Sequence, residues 1–238
     1  MVQTGQITFY THTRSVYCHR VHIALEEANA DYTSYSVNLK ERPAWYAKVN
    51  PAGKIPAITY GGPNAPPDDP APEAVKINES LVILEFLADL FPEAKLLPSD
   101  PVLRAQARLF MLTVDKQLFE GFRQFLFNYT EGAEKALLDG FEALQARLPV
   151  TGFAIGEWSI ADAAAAPFLV RIELLLKHDL GTFPEGEGLR VLQLLQEPKF
   201  ARVMQYLEDC KSRPSVKSTW DEVSQVEIWK ENSALKRR

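Results

Sequence analysis

The chain has 238 residues, enough for two modest domains or one large one, each with a real hydrophobic core. Its 46% hydrophobic and 24% charged residues are ordinary globular proportions, and a net charge of −5 argues against a broad nucleic-acid or anionic-membrane surface. No run approaches the roughly 20 apolar residues of a membrane span, and MVQTGQITFY lacks the regions of a signal peptide. Two cysteines, Cys18 and Cys210, imply no disulfide framework, so a reducing cytoplasm is the expected compartment.

Residues 1–92 alternate short β-like runs with helical ones. Ile7-Thr8-Phe9-Tyr10 reads as a strand, and Tyr17 to Asn29 as a helix with Val21, Ala24, Leu25 and Ala28 on one face. Tyr32 to Val37, Ile55 to Tyr60 and Val75 to Ile77 read as further strands. An apolar helix from Leu81 to Leu90 stops at Phe91-Pro92. The order β-α-β then β-β-α predicts a three-layer α/β unit with a mixed sheet. GGPNAPPDDPAPEA, between the third and fourth strands, reads as a solvated insertion longer than a hairpin requires.

A linker, residues 93–103, carries Pro98 and Pro101. Residues 104–238 then read as all helical, with apolar spacing of three and four over Leu103–Phe127, Ala133–Leu148, Ala161–Leu176, Leu189–Gln196 and Pro198–Lys211. An α/β unit followed by a helical bundle predicts two domains, with a ligand cleft expected at their interface. The basic tail Lys236-Arg237-Arg238 reads as a solvated terminus.

Three segments carry candidate chemistry. Arg14-Ser15-Val16-Tyr17-Cys18-His19-Arg20 opens the first helix and puts Ser15 near its N-terminus, where unpaired N–H groups and the helix dipole favour an anion. A hydroxyl there can donate to a thiolate, or Ser15 can be a cap and nothing more. Asn50-Pro51-Ala52-Gly53-Lys54-Ile55-Pro56 places a proline at a strand entry. A cis Ile55–Pro56 bond would turn the Ile55 backbone toward a peptide-like ligand; an ordinary trans proline guarding a strand edge is the competing reading. Asn78-Glu79-Ser80 precedes the apolar helix, with Ser80 expected as its N-cap and the helix N-terminus as a place for a carboxylate.

Together these segments resemble the cytosolic glutathione transferases, the omega class and its fungal omega-like members above all. The resemblance covers nearly the whole chain. It implies a thioredoxin-like domain followed by an all-helical domain, glutathione as co-substrate, no metal, and a homodimer. It assigns Ser15 to the catalytic position. It assigns glutathione contacts to Tyr17, Leu39 and Arg42 (within Asn38-Leu39-Lys40-Glu41-Arg42-Pro43), to Ile55 and Pro56, and to Glu79 and Ser80. Gly156-Glu157-Trp158-Ser159-Ile160-Ala161-Asp162 is similar to the family's helix-capping box, a folding motif in which Ser159 caps and Asp162 reciprocates. Phe122, Phe127, Tyr129 and Trp158 are candidates to line a site for a hydrophobic electrophile or aromatic ligand, or else helical core.

One departure bears on mechanism. Omega proteins typically carry cysteine followed by proline where this chain has Ser15-Val16. Serine cannot form the mixed disulfide of thiol exchange, but it can stabilise a glutathione thiolate. Conjugation to electrophiles or reduction of organic peroxides is therefore expected rather than reductase chemistry. Carriage of hydrophobic or aromatic compounds with little turnover is the alternative, and a regulatory module of the same fold a more remote one. Cys18 is expected to be a packed structural thiol, and Cys18 with His22 supplies too few ligands for a closed zinc site. No G-x-S-x-G elbow surrounds Ser15 to suggest a hydrolase.

Overall fold

Residues 5–237 are described by a computed structural model. Ile7-Thr8-Phe9-Tyr10-Thr11 forms β1 (Ile7–Thr11), and every residue but the last is buried. Burial on both faces places this strand inside a covered sheet rather than at its edge. The strand's alternation decides the layers. Phe9 meets His22 and Tyr32 on one side, whereas Tyr10 meets Tyr35, Trp45 and Tyr46 on the other. Tyr10, Val37, Tyr46, Val49 and Ala57 form one buried cluster.

The chain then runs through α1 (Val16–Glu27), β2 (Thr33–Ser36), β3 (Ala57–Tyr60), β4 (Val75–Asn78) and α2 (Ser80–Leu90). The sheet order is β2-β1-β3-β4. β2 runs parallel to β1, while β3 and β4 are antiparallel to their neighbours. This is the expected thioredoxin-like arrangement. β1 and β4 each run one residue past their expected ends, β2 spans only Thr33–Ser36, and β3 begins at Ala57 rather than Ile55. Ile55–Pro56 is a cis peptide, and Pro56 has no N–H to give a ladder.

The proline-rich segment is not the free insertion its composition predicts. Gln6 and Ala65 exchange side chain-to-backbone hydrogen bonds, Tyr10 Oη donates to the Pro67 carbonyl at 2.7 Å, and Ala71 and Ala74 are buried. A phenol from the sheet's central strand thus fixes the loop's middle.

The chain divides into two compact units between Leu97 and Pro98. The second is helical, and it opens with α3 (Pro101–Thr113). Asp100 accepts the Val102 N–H at 2.7 Å, and Pro101 occupies the first turn, where its missing N–H costs nothing. The single helix expected over Leu103–Phe127 is present as a continuous helical run, but it is not regular α-helix throughout. A π-helical turn at Val114–Leu118 leads to α4 (Phe119–Arg123), and a second π turn follows at Gln124–Asn128. Each such turn inserts a residue that spacing by three and four does not reveal. Next comes α5 (Ala133–Gln145), which crosses α4 at Gly121. A Cβ on Gly121 would lie 2.5 Å from the Ala136 carbonyl oxygen, so only glycine allows this approach.

The remaining helices are α6 (Ile160–Lys177), α7 (Glu187–Leu195), α8 (Ala201–Ser212), α9 (Pro214–Thr219) and α10 (Glu222–Lys230). The last two were not legible as amphipathic repeats. The terminus is not simply solvated: Arg237 donates to the Phe183 and Asp179 carbonyls and pairs with the Asp179 carboxylate, while Arg238 lies outside the described residues. Among the described residues no helix is long and apolar enough to cross a membrane.

Asp162 is the polar centre of this unit. The capping box expected from the sequence is formed: Ser159 Oγ accepts the Ala161 N–H at 3.2 Å, and Asp162 Oδ2 accepts the Ser159 N–H at 2.8 Å. The Ala154 N–H and the Tyr206 phenol also donate to Asp162, at 2.8 and 2.7 Å. Asp162→Ala would strand these buried donors, each costing about 1–3 kcal/mol, so denaturant unfolding at pH 7.5 is expected to show a loss of at least ~3 kcal/mol. Burial pushes the Asp162 carboxyl up to about 6 despite its hydrogen bonds. A folded-state value above the unfolded one means that this group's stability contribution is full below about pH 4 and is lost as pH rises through 6. The cost of Asp162→Ala should therefore be larger at pH 5 than at pH 7.5. The same stability difference between the two proteins at both pH values would contradict this.

Candidate functional site

The strand register explains why distant segments meet. Tyr10 pairs with Ala57, and Ala57 pairs with Asn78. The residues just beyond these pairs therefore share one edge of the sheet: the turn after β1, the Ile55–Pro56 entry to β3, and Glu79-Ser80 after β4. This edge is also the carboxyl end of the parallel pair β1 and β2, the usual location of ligand sites in open α/β sheets.

Ser15 lies in the turn between β1 and α1. Its Oγ accepts the Cys18 N–H at 3.1 Å, so it is a true N-cap. Capping uses the oxygen as an acceptor. The hydroxyl hydrogen stays available to donate, and cap and ligand contact are therefore compatible. Cys18 is buried, as a packed thiol should be. His22 packs on Phe9 and Tyr32 and lies 3.9 Å from Glu26. Among the described residues no cluster of three or more His, Cys, Asp or Glu is placed to hold a metal.

A cavity of about 660 Å³ opens beside Ser15. It brings together Ser15, Tyr17, Leu39, Arg42 and Ile55, five of the residues named from the sequence. Its other walls include His12, Arg14, Lys40 and Lys54, which sequence reasoning did not assign. Each looks like an ordinary solvated side chain in isolation; only the fold shows that they converge. No carboxylate lines the cavity, and Arg14, Lys40, Arg42 and Lys54 have no acidic partner among the described residues. A protein of net charge −5 thus concentrates positive charge at this spot.

Local hydrogen bonds shape the walls. Asn38 Oδ1 accepts the Lys40 and Glu41 N–H groups at 3.0 and 3.3 Å, an Asx-type turn that presents Leu39 and Arg42. The Lys54 carbonyl accepts from Tyr46 Oη at 2.8 Å and Asn50 Nδ2 at 2.9 Å, which anchors the loop before Ile55. Gly53 sits in that loop with φ of +64°, where a Cβ would lie 2.0 Å from Arg42 Nη1. The guanidinium is packed directly on the glycine.

Pro56, at the entry to β3, and Glu79 and Ser80, at the head of α2, stand outside the cavity wall. The sequence expectation that Ser80 caps this helix is corrected: Glu79 is the N-cap and Ser80 the first helical residue. The reason is backbone conformation. Glu79 has φ of 67°, a value uncommon outside glycine, and its carbonyl accepts the Ile83 N–H at 3.0 Å. Ser80 is buried, and its Oγ accepts from Arg20 Nη1 at 3.3 Å. Arg20, itself fully buried, also lies over the Tyr17 ring at 5.2 Å and so links the heads of α1 and α2. Sequence reasoning missed this arginine; a charged residue on an otherwise apolar helix face was the available signal.

The second unit's candidates fall in its aromatic core. Phe122 is buried against Phe127 and Phe168, with ring centroids 5.4 and 5.7 Å away. Phe127 is half-buried beside Trp229. Tyr129 packs edge-on against Phe125 and donates to Glu187 at 3.3 Å. Trp158 is buried under Phe153 and the Arg213 guanidinium, away from that group in sequence and contacts.

Comparison with known proteins agrees with the geometry. Residues 14–90 match the family described as glutathione S-transferase, N-terminal domain. Glutathione transferase Omega 1C from Trametes versicolor is 44% identical and superposes with a TM-score of 0.91, covering 94% of this chain and 95% of its own. Glutathione transferase Omega 2S from the same organism, solved in complex with 2,4-dihydroxybenzophenone, is 48% identical with a TM-score of 0.89, over 97% and 99% of the two chains. Glutathione S-transferase omega-2 of Rattus norvegicus is 26% identical over 92% of this chain and 75% of its own length. The chain belongs to the glutathione transferase family, and its structural neighbours place it with the omega type.

Proposed function

We propose that this protein binds glutathione in the cavity beside Ser15 and uses the Ser15 hydroxyl to stabilise the glutathione thiolate for attack on an electrophile or an organic peroxide. The observation that carries the reading is the convergence of four unpaired cations and a capping serine with a free hydroxyl hydrogen on one cavity. Glutathione fits that chemistry. It is a small peptide with two carboxylates, so it complements Arg14, Lys40, Arg42 and Lys54, and its backbone can meet that of Ile55. Glu79 and Ser80 at the head of α2 would hold the α-amino acid end, and Tyr17 and Leu39 would cover the peptide's apolar atoms.

In the conjugation step the sulfur forms a bond to an electrophilic carbon and the leaving group departs with the electron pair. With a hydroperoxide the sulfur attacks the terminal oxygen and the O–O bond breaks, giving a glutathione sulfenic acid and an alkoxide that takes a proton from water. A second glutathione thiol then displaces water from the sulfenic acid to form the disulfide. Phe127 and Tyr129, the half-buried members of the second unit's candidates, would contact the apolar co-substrate, with Phe122 and Trp158 as supporting core. The family's usual two-fold dimer and a cytoplasmic location belong to the same reading.

Ligand carriage is the second reading, and one observation favours it. The relative 48% identical to this chain was solved holding 2,4-dihydroxybenzophenone, an aromatic ketone. The two readings differ in turnover, not in fold.

Titration calorimetry with glutathione is the first test: no binding up to millimolar concentration would sink both the transferase reading and its assignment of the cavity. Ser15→Ala should lower conjugation or peroxidase turnover about ten- to a hundredfold while leaving most glutathione affinity intact, since a hydrogen bond to a charged group is worth about 1.5–3 kcal/mol. Ser15→Cys should gain disulfide exchange with glutathionylated compounds, because a thiol at a helix N-terminus is acidified. If Ser15→Ala turns over like the unaltered protein, Ser15 is a cap alone and carriage becomes the better reading.

Arg42 offers an independent check. Gly53→Ala must move the guanidinium, because the new Cβ would occupy its place, and it also strains a left-handed backbone at a cost of about 1–2 kcal/mol. Gly53→Ala and Arg42→Ala should each weaken glutathione binding, and the double variant should bind no more weakly than Arg42→Ala. Additive losses by calorimetry would show that the two positions act separately.

A further inference from the structure

His12 opens the turn that carries Ser15, between the end of β1 and the start of α1, and it lines the same cavity as Ser15. Its polar atoms are unequally used. The His12 carbonyl accepts the Ser15 N–H at 3.0 Å, and Nδ1 accepts the Arg14 N–H at 3.2 Å. A ring nitrogen that accepts a hydrogen bond cannot carry the proton, so the neutral ring bears its hydrogen on Nε2. That Nε2–H has no acceptor among the described residues. The charged groups sharing the cavity are Arg14, Lys40, Arg42 and Lys54, and no carboxylate is there to stabilise an imidazolium. Burial first, and then the Arg14 charge, hold the ring below the usual histidine range, so it is neutral at pH 7.

We propose that His12 is a ligand-contacting residue of this site: its Nε2–H donates a hydrogen bond to an anionic atom, carboxylate oxygen or thiolate sulfur, of the peptide bound beside Ser15. The inference rests on the glutathione reading above and adds to it a donor that is neutral among cations. It also fixes what His12 does not do. A proton arriving at Nδ1 would displace the Arg14 N–H and loosen the turn, so His12 is a donor and not the base that deprotonates the thiol. The thiol proton leaves to water.

Two substitutions separate the ring's two nitrogens. Asparagine puts a carbonyl oxygen near the Nδ1 position and can still accept an N–H two residues on, as Asx turns do, but it has nothing at the Nε2 position. Glutamine reaches the Nε2 position with an amide N–H and leaves Nδ1 unreplaced. At pH 7.5, His12→Asn should bind glutathione about ten- to a hundredfold more weakly than the unaltered protein, and His12→Gln should bind close to it. The opposite order would show that His12 only staples the turn, and it overturns the proposal. So would two variants that both bind normally. Should both weaken alike, nitrogen-15 spectra of the unaltered protein's imidazoles decide. A His12 Nε2–H signal that shifts and is protected from exchange on adding glutathione upholds the contact, and an unchanged signal refutes it. Failure of the unaltered protein to bind glutathione at all would bring down the underlying reading as well, and that result needs no variant.

Discussion

The pairing of β1 with β3 and of β3 with β4 is the constraint on which the first unit's chemistry depends. Ser15, Ile55–Pro56 and Glu79-Ser80 are far apart in sequence, and none of these segments touches a ligand by virtue of its own conformation. The Tyr10–Ala57 and Ala57–Asn78 pairs bring the three turns to one edge of the sheet. A shift of one residue in either ladder would send alternate side chains of the slipped strand to the wrong face. Tyr10 cannot move freely, because its ring lies in the buried cluster with Val37, Tyr46, Val49 and Ala57, and its hydroxyl holds Pro67. The site is thus registered by the core beneath it.

On that frame the electrostatics follow from what is absent as much as from what is present. Surface lysines and arginines are normally interleaved with carboxylates, and this chain has ion pairs such as Lys177–Glu222 and Lys211–Glu173 elsewhere. Beside Ser15 the cations stand without acidic partners, which costs stability through mutual repulsion unless an anion arrives. Binding of an anionic peptide relieves that repulsion. On the proposed reading, part of the affinity for glutathione would be stored in the unliganded fold, with Gly53 contributing by letting Arg42 lie against the loop.

Much of this was legible in the sequence, and the misses have identifiable causes. Alternation in Ile7–Tyr10, the apolar run after Ser80 and the Ser159–Asp162 spacing each report on contacts within a few residues, and each predicted its element. Ser80 failed as a cap because the left-handed backbone of Glu79 shifts the helix start by one residue, and residue type gives no sign of that. The π turns at Val114–Leu118 and Gln124–Asn128 are invisible to a period of three and four. Helices α9 and α10 are short, and Val216, Val226 and Trp229 are too few to mark a stripe. For the site, Ser15, Arg42 and Ile55 stood out through the motifs that hold them. Arg14, Lys54 and His12 did not, since nothing local distinguishes a cation or imidazole that faces a cavity from one that faces water.

Magnitudes decide whether a serine in this position is enough for the proposed chemistry. A free thiol titrates near pH 8.5, and moving it down by roughly two units requires about 2.7 kcal/mol of preference for the thiolate. A hydroxyl donating to a charged acceptor supplies about 1.5–3 kcal/mol, and a helix N-terminus adds about 0.3–1 kcal/mol. The two together meet the requirement without a general base, which agrees with a site whose one imidazole has its Nδ1 engaged by the Arg14 N–H. What serine lacks is the second function of a cysteine at this helix end. Oxygen cannot carry the sulfur–sulfur bond of a mixed disulfide, so the same hydrogen-bonded frame that suits thiolate stabilisation withholds the exchange step. On the proposed reading, replacing sulfur by oxygen at one atom would change the reaction class and leave the sheet edge that carries Ser15, Ile55–Pro56 and Glu79-Ser80 unaltered.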